Sequence, residues 1–408
     1  MSNFKRILLI TAHFPPENSG GIGRPYSLMK YLPGLGYDVI VITKRNYSSL
    51  CDENNILRVD SFSDWRHNIF TLKTFYRLFT LIGYRYFHIF PDLLWYKSII
   101  RQSNELLKST KFDFIYSTFP SAEALRAGLY LHRKHNIKLI SEFRDGLVFE
   151  SIMSLNYFQR LVAKRLEKKI AEGSSKIITI GDNLSSYFKT NYNLNTVYTV
   201  FNGFDSDDFK GLSQYQKEKN PEDLKSRIVY FGQLSFSGKR DLESFFQAIS
   251  ELRNEKIITS SNFSLNFIGN YKPEERDKVK FYDLSDIISF YPKMGKIDGF
   301  KYIVGRFDYL LFYGIKGLTT IISSKLLEYL KLNMPIIGIC KGNEAEIIIN
   351  KTRTGETCDF DIDSIKKILT KSIHGQIFYN PDYEEISKFD RFNQASYIRD
   401  ILEDNLAE

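Results

Sequence analysis

Arg6-Ile7-Leu8-Leu9-Ile10-Thr11, followed closely by Pro15-Pro16-Glu17-Asn18-Ser19-Gly20-Gly21-Ile22-Gly23-Arg24, decides the fold. The first stretch is an apolar run without alternation, bounded by polar residues. Such a run reads as a parallel strand covered on both faces. The second is a glycine-rich turn leading into a helix predicted over Arg24–Leu32. The same sentence is then repeated. Tyr37–Thr43, Phe112–Thr118, Ile137–Phe143 and Lys176–Ile180 read as further strands, and Ile99–Lys108, Ser121–His135 and Asn156–Glu172 as the helices between them. Strands alternating with helices imply an α/β protein with a doubly wound parallel sheet.

A second series follows. Arg227–Phe231, Leu265–Ile268, Ile287–Tyr291, Tyr309–Phe312 and Pro335–Ile339 read as strands, with helices over Asp241–Asn254 and Lys325–Leu332. The 408 residues are long enough for two domains. The expected division is an N-terminal domain at 1–204, a polar linker at 205–226 containing Pro221, a second domain at 227–383, and a terminal helical segment at 384–408.

Hydrophobic residues make up 43% of the chain and charged residues 25%, which excludes a disordered or fibrous protein. The three cysteines, Cys51, Cys340 and Cys358, form no C-x-x-C pair, so neither a disulfide scaffold nor a cysteine zinc site is expected. No apolar run approaches the length of a membrane span, and the N-terminus lacks a signal-like apolar region. A cytoplasmic protein is the expectation. The net charge of +8 is uneven: residues 1–190 hold 27 Lys and Arg against 16 Asp and Glu, and residues 191–408 hold 29 against 32. A basic first half points to an anionic partner. The stretch Asp64–Lys111 mixes rings such as Trp65, Phe75, Tyr84, Trp95 and Tyr96 with Arg66, Lys73, Arg77, Arg85, Lys97 and Arg101. That mixture suits an anionic membrane interface; single-stranded nucleic acid and a plain aromatic core are the alternatives.

Four motifs are candidate sites. In Gly20-Gly21 the missing side chains let backbone amides approach a ligand, with a helix N-terminus behind them; an ordinary tight turn is the plain alternative. Gly232-Gln233-Leu234 with Ser237-Gly238-Lys239-Arg240 puts two cations in a loop after a strand, which suits a diphosphate or simply a solvated surface. Ser324-Lys325-Leu326-Leu327-Glu328-Tyr329-Leu330 reads as a helix closed by Asn333 and Pro335. Glu328 there can accept hydrogen bonds from a vicinal diol, or merely face the helix dipole. Glu142-Phe143-Arg144-Asp145-Gly146 places charges at a strand's carboxyl end, where open α/β sheets bind ligands. The six histidines form no metal-ligand pattern.

Taken in order, Pro15-Pro16, Gly20-Gly21, Phe143-Arg144-Asp145, Asn202-Gly203-Phe204-Asp205, Gly232-Gln233-Leu234 and Lys325–Leu330 with Pro335-Ile336-Ile337 resemble glycosyltransferase family 4, in the branch that builds bacterial capsule, O-antigen and other surface polysaccharides. The resemblance implies a GT-B fold: two Rossmann-like domains facing a cleft, the first for acceptor, the second for nucleotide-sugar, with the last helix crossing back to the first domain. It implies transfer with retention, no metal and no cofactor. It implies catalytic roles for Arg144, Asp145 and Arg240. Donor contacts would come from Gly20, Gly21, Gly232, Lys239, Arg240, Thr320, Lys325 and Glu328. Three positions depart from the family pattern. Thr320 stands at the first Glu of the E-x7-E pair, Gln233 replaces a frequent Arg, and Arg144 or Asp145 replaces a frequent His. The expected partners are a nucleotide-diphosphate sugar, a lipid-linked or glycan acceptor and an anionic membrane surface, on the inner face of the cytoplasmic membrane; nucleic acid is not expected. A nucleotide-sugar epimerase of the same fold, or a non-catalytic membrane- or nucleic-acid-binding protein, is the rival reading.

Overall fold

In β1 (Lys5–Ile10), Ile7 and Leu9 pack into one hydrophobic cluster while Leu8 and Ile10 pack into another. Successive side chains leave a strand on opposite faces, so a strand apolar at every position must lie inside a sheet covered on both sides. The computed structural model describes residues 4–17, 21–45, 55–61, 92–150, 155–215, 223–234, 242–317, 319 and 324–405. It divides into two compact units, Met1–Asn202 with Arg391–Glu408, and Gly203–Asp390.

The first unit is a seven-stranded sheet in the order β3-β2-β1-β4-β5-β6-β7. Its other strands are β2 (Tyr37–Lys44), β3 (Ile56–Val59), β4 (Phe114–Phe119), β5 (Lys138–Phe143), β6 (Lys176–Thr179) and β7 (Val197–Thr199). Every pairing is parallel; Leu9, for example, faces Val41 on one side and Tyr116 on the other. The described helices are α1 (Gly23–Tyr31), α2 (Leu93–Ser109), α3 (Ala122–His135), α4 (Tyr157–Gly173) and α5 (Asp182–Tyr192). Their ends follow local chemistry. Asp92 caps α2 by accepting from Trp95 N, a reciprocal Asn156–Gln159 box opens α4, and Asn136 closes α3 in the left-handed region.

The second unit is a six-stranded sheet in the order β10-β9-β8-β11-β12-β13, again parallel throughout. The strands are β8 (Ser226–Phe231), β9 (Phe263–Ile268), β10 (Ile288–Tyr291), β11 (Tyr309–Tyr313), β12 (Ile336–Ile339) and β13 (Gly355–Cys358). The helices are α6 (Glu243–Asn254), α7 (Pro273–Phe281), α8 (Lys296–Ile303), α9 (Ser324–Lys331), α10 (Glu344–Thr352), α11 (Ile362–Ile373) and α12 (Tyr383–Ser387). Asn333 follows α9 with φ of 53°, as its place before Met334-Pro335 predicts. Each sheet reverses its winding once, between β1 and β4 in the first unit and between β8 and β11 in the second. Ligands of doubly wound sheets bind outside the strand ends at such a point.

Three differences from the sequence reading have physical causes. β3, β7 and β13 are short strands at sheet edges, and polar residues such as Arg58, Thr199 and Glu356 keep each from reading as an apolar run. Residues 205–215 do not form a free linker. Phe209 stacks on Phe300 with ring centroids 5.1 Å apart, and Leu212 is buried, so this polar stretch is anchored in the second unit by two apolar side chains. The terminal segment expected at 384–408 divides: α12 belongs to the second unit, and α13 (Arg391–Glu403) to the first. Residues 62–91 of the aromatic stretch lie outside the described residues. Trp95 from the same stretch is fully buried core.

α13 supplies Ala395, Ile398, Ile401 and Leu402 to the cluster under β1 and α1, and its Arg391 donates to the Gly23 carbonyl. Chain distant in sequence therefore completes one side of the first core. Ile398→Ala should cost about 2–5 kcal/mol, the usual range for emptying a fully buried aliphatic site. Urea unfolding of the variant would check it, and a loss below about 0.5 kcal/mol would mean that α13 is not part of the cooperative core.

Candidate active site

At the first unit's reversal point, β1, β4 and β5 end together. Gly21 follows β1; a Cβ there would stand 3.0 Å from His13 Cδ2, so a side chain at this position would push the imidazole aside by a few tenths of an ångström. Arg144, just past β5, is 6% exposed. Its Nε donates to the Phe119 carbonyl at 3.1 Å and its Nη1 to the Gly21 carbonyl. The guanidinium thus joins the ends of all three strands through backbone acceptors. Burial works against its charge, and Glu142 and Asp145 support it.

Beneath it lies a pair that the sequence reading left without a role. Arg24 Nε stands 3.1 Å from Glu142 Oε1, with both side chains almost fully buried. Arg24 also donates to the Val200 and Phe201 carbonyls and to Gln394 Oε1. Tyr116, fully buried against this pair, has its hydroxyl pKa pushed well up by burial first and by the Glu142 charge second. His13 was also missed. Its Nδ1 lies 2.9 Å from Glu17 Oε1 in the loop after β1. A lone histidine without a spacing partner carries no signal in one sequence.

Asp145 keeps some access to solvent. Burial pushes its carboxyl pKa up to about 6, against the opposing pull of Arg144. It is therefore a group that exchanges a proton near neutral pH.

In the second unit, Gly232 ends β8 with φ of 127°, and Gly269 ends β9 with φ of 143°. A Cβ on Gly269 would stand 2.2 Å from the Gly232 carbonyl oxygen, and one on Gly232 would stand 2.7 Å from Lys325 Cε. Both positions favour glycine for conformation, and Gly269 requires it for space as well, since its clash is with backbone. Lys325, from α9 across the reversal point, lays its ammonium 3.7 Å from the centre of the Tyr230 ring. Tyr329 of the same helix accepts a hydrogen bond from Phe231 N at 2.9 Å. The structure thus brings Gly232 and Lys325 together, a cation against a bare strand end.

Glu328, one turn further along α9, is 17% exposed. Its Oε1 is paired with Lys296 Nζ at 2.6 Å, and the same ammonium reaches Asp208 Oδ2 at 2.8 Å. Neither partner was found in the sequence. Asp208 lay in the supposed linker, and Lys296 opens a helix that has no separate motif. Burial works against the Lys296 charge, but the two carboxylates outweigh it and raise its pKa. Gly20, Lys239, Arg240 and Thr320 lie outside the described residues, so the geometry covers Gly21, Arg144 and Asp145 in one unit and Gly232, Lys325 and Glu328 in the other. Among the described residues, no group of three or more His, Cys, Asp or Glu could hold a metal ion.

Two parallel sheets of this order, with their reversal points glycine-lined and charged, define a GT-B-fold protein. Solved structures of that fold align over nearly the full chain. Sucrose-phosphate synthase from Thermosynechococcus elongatus aligns with 12% identity over 98% of this chain and 99% of that one, at a TM-score of 0.68. The lipopolysaccharide outer core galactosyltransferase WaaB in its apo form aligns with 13% identity over 98% and 100%, at 0.66. An E. coli structure described as trehalose-6-phosphate bound with UDP-2-fluoro glucose aligns with 12% identity over 98% and 99%, at 0.60. No curated protein sequence matches the chain. Residues 24–208 match the family model described as Glycosyltransferase Family 4. The chain has the GT-B fold, and its residues 24–208 are similar to the family 4 glycosyltransferases.

Asp145 allows a test without substrate. A carboxyl whose pKa rises on folding favours the native state while protonated. That contribution is complete below its unfolded value near 3.8 and is lost as pH rises through about 6. Asp145→Asn should therefore be more stable than wild type at pH 8, with the difference closing towards pH 4. Melting temperatures of both proteins across that range would check it; parallel curves would show that Asp145 is not desolvated.

Proposed function

We propose that this protein transfers a sugar, with retention at the anomeric carbon, from a nucleotide-diphosphate sugar to a lipid-linked or polysaccharide acceptor in cell-surface glycan synthesis. The observation that carries the donor half of this reading is the meeting of Gly232 with the Lys325 ammonium where the second sheet reverses. Glycine admits the backbone to a phosphate, and the ammonium offers charge to it. Lys239 and Arg240 are assigned to the same diphosphate, and Gly20 and Gly21 to donor contacts. The cations and amides stabilise the diphosphate as the bond to the sugar breaks, which needs neither metal nor cofactor.

Glu328 is assigned to the ribose hydroxyls, with Lys296 holding its carboxylate in place and Thr320 contributing a neutral hydrogen bond to the sugar. In the first unit, Asp145 is assigned to the proton of the acceptor hydroxyl, since its raised pKa suits exchange near neutrality. Arg144 acts as a positioning residue: its hydrogen bonds go to backbone carbonyls, and it ties the Gly21 turn to the end of β5. Among the described residues no helix is long and apolar enough to cross a membrane. A peripheral position on the cytoplasmic face is part of the proposal.

Glu328→Ala should weaken binding of a nucleoside diphosphate by roughly 10–150-fold, the worth of hydrogen bonds to a charged group. Calorimetric titration with a panel of bases would read it. Undiminished binding in a folded variant would leave Glu328 as a partner of Lys296 alone.

Arg240→Ala, and more so Arg240→Ala with Lys239→Ala, should lower turnover by about 100-fold or more while leaving the melting temperature near wild type. Acceptor dependence is measured in the same assay. Conversion of the donor sugar without any acceptor would favour the epimerase reading instead.

A further inference from the structure

We propose that Glu167 is a positioning residue for Asp145: its buried carboxylate clamps the loop that follows β5 and so fixes the surroundings of the Asp145 side chain. The inference rests on the assignment of Asp145 to the acceptor proton and names what holds that group in place.

Glu167 lies on the buried face of α4 with Ala163 and Ile170, and is itself fully buried. Three donors converge on its two oxygens. The hydroxyls of Tyr187 and Tyr192, both on α5, donate to Oε1 at 2.8 and 2.7 Å. The backbone amide of Val148, just beyond Asp145, donates to Oε2 at 3.1 Å. Burial pushes the Tyr187 hydroxyl up to about 12, with the Glu167 charge adding to the effect, and burial raises that of Tyr192 as well. Both tyrosines therefore remain donors at any working pH. Burial also raises the pKa of Glu167 itself, against the pull of these three bonds. A carboxylate at this depth is costly, and an apolar side chain of similar size would pack there at lower cost. What the carboxylate adds is the bond to Val148 N, which no apolar side chain supplies.

Other contacts grip the same loop. Phe149 stacks on Tyr187, with ring centroids 4.7 Å apart and an interplanar angle of 18°. Leu147 and Val148 pack with Ala122 of α3 and Ala163 of α4. At Gly146 the chain doubles back so closely that a Cβ would stand 1.7 Å from the Phe149 carbonyl oxygen. Tyr187 thus takes part twice, by its hydroxyl through Glu167 and by its ring on Phe149. On the other side of Asp145, Arg144 is bound to the Phe119 and Gly21 carbonyls. Asp145 therefore stands between two fixed neighbours. A carboxyl held in this way has little freedom to swing into water, and desolvation is what shifts its protonation. Releasing the Val148 side should rehydrate it.

The test reads Asp145 directly, by NMR titration of its labelled carboxyl carbon in the full chain, with Asp145→Asn assigning the signal. A Gln at position 167 has a single accepting atom and cannot serve Val148 and the tyrosines as two oxygens do. In Glu167→Gln the Asp145 pKa should fall by about one unit or more, towards the ordinary carboxylate value. Tyr187→Phe with Tyr192→Phe keeps both rings and should move it in the same direction by less. Glu172→Gln, which removes an exposed carboxylate from the same helix, should leave it unchanged. In the transfer assay Glu167→Gln should lower kcat by about 10- to 100-fold, the effect of a misplaced group, with the donor KM within about twofold. The acid limb of the kcat profile should move down with the Asp145 pKa. The proposal is overturned if wild-type Asp145 titrates with the ordinary carboxylates. It is also overturned if both Glu167→Gln and the tyrosine pair leave the Asp145 pKa at its wild-type value, or if Glu172→Gln lowers it as much. Where Glu167→Gln fails to fold, the tyrosine pair decides. The NMR reading needs no substrate, so a lowered pKa with unchanged turnover supports the clamp and overturns the assignment of Asp145 to the acceptor proton.

Discussion

The first unit is organised around one buried charge pair, Arg24 with Glu142. An isolated carboxylate at that depth would be strongly disfavoured, so the guanidinium must be where it is. Arg24 can only reach Glu142 if α1 is seated against the end of β5. Its remaining donors then bind the carbonyls of Val200 and Phe201 and the side chain of Gln394. One residue thus holds together the first helix, the fifth strand, the chain leaving β7 and the last helix. Arg144 extends the arrangement upward to the Gly21 turn. Through Arg144 the Gly21 turn is tied to the carboxyl ends of β4 and β5.

The second unit solves a different problem with less charge. At its reversal point the end of β8 meets Lys325 of α9, and Gly232 and Gly269 both take φ values that favour glycine. The space left by the missing side chains is occupied by Lys325, steadied on the face of Tyr230. Lys296 likewise steadies Glu328, and through Asp208 it ties the segment entering the unit to the same place. Cation and carboxylate are therefore each held by a neighbour of opposite electrostatic character.

The outer helices of the first unit show where the uneven charge of the chain goes. The excess of Lys and Arg in the first half does not spread as a uniform coat. Part of it collects on the outward rows of α3 and α4, above an apolar floor. Composition could locate the asymmetry in one half of the chain; only the packing of three helices turned it into a concave surface.

Much of this protein was legible from residue order. Unbroken apolar runs such as Arg6–Thr11 can only be parallel strands covered on both faces, and their alternation with amphipathic stretches leaves a doubly wound sheet. Glycines after strands, Asn333 before Pro335, and charges at the end of β5 are local signals of backbone geometry, and these need no partner to be read. The rest depends on partners far away in sequence. Arg24 with Glu142, Lys296 with Asp208 and Glu328, and α13 with β1 are joined only when the sheets wind. The supposed linker shows the same limit. Its polar composition describes what faces water, whereas Phe209 and Leu212 decide where it packs. Periodicity reports how a segment exposes itself, and which side chain meets which across the fold is decided by tertiary burial, where an unpaired charge or an exposed ring carries its full free-energy penalty.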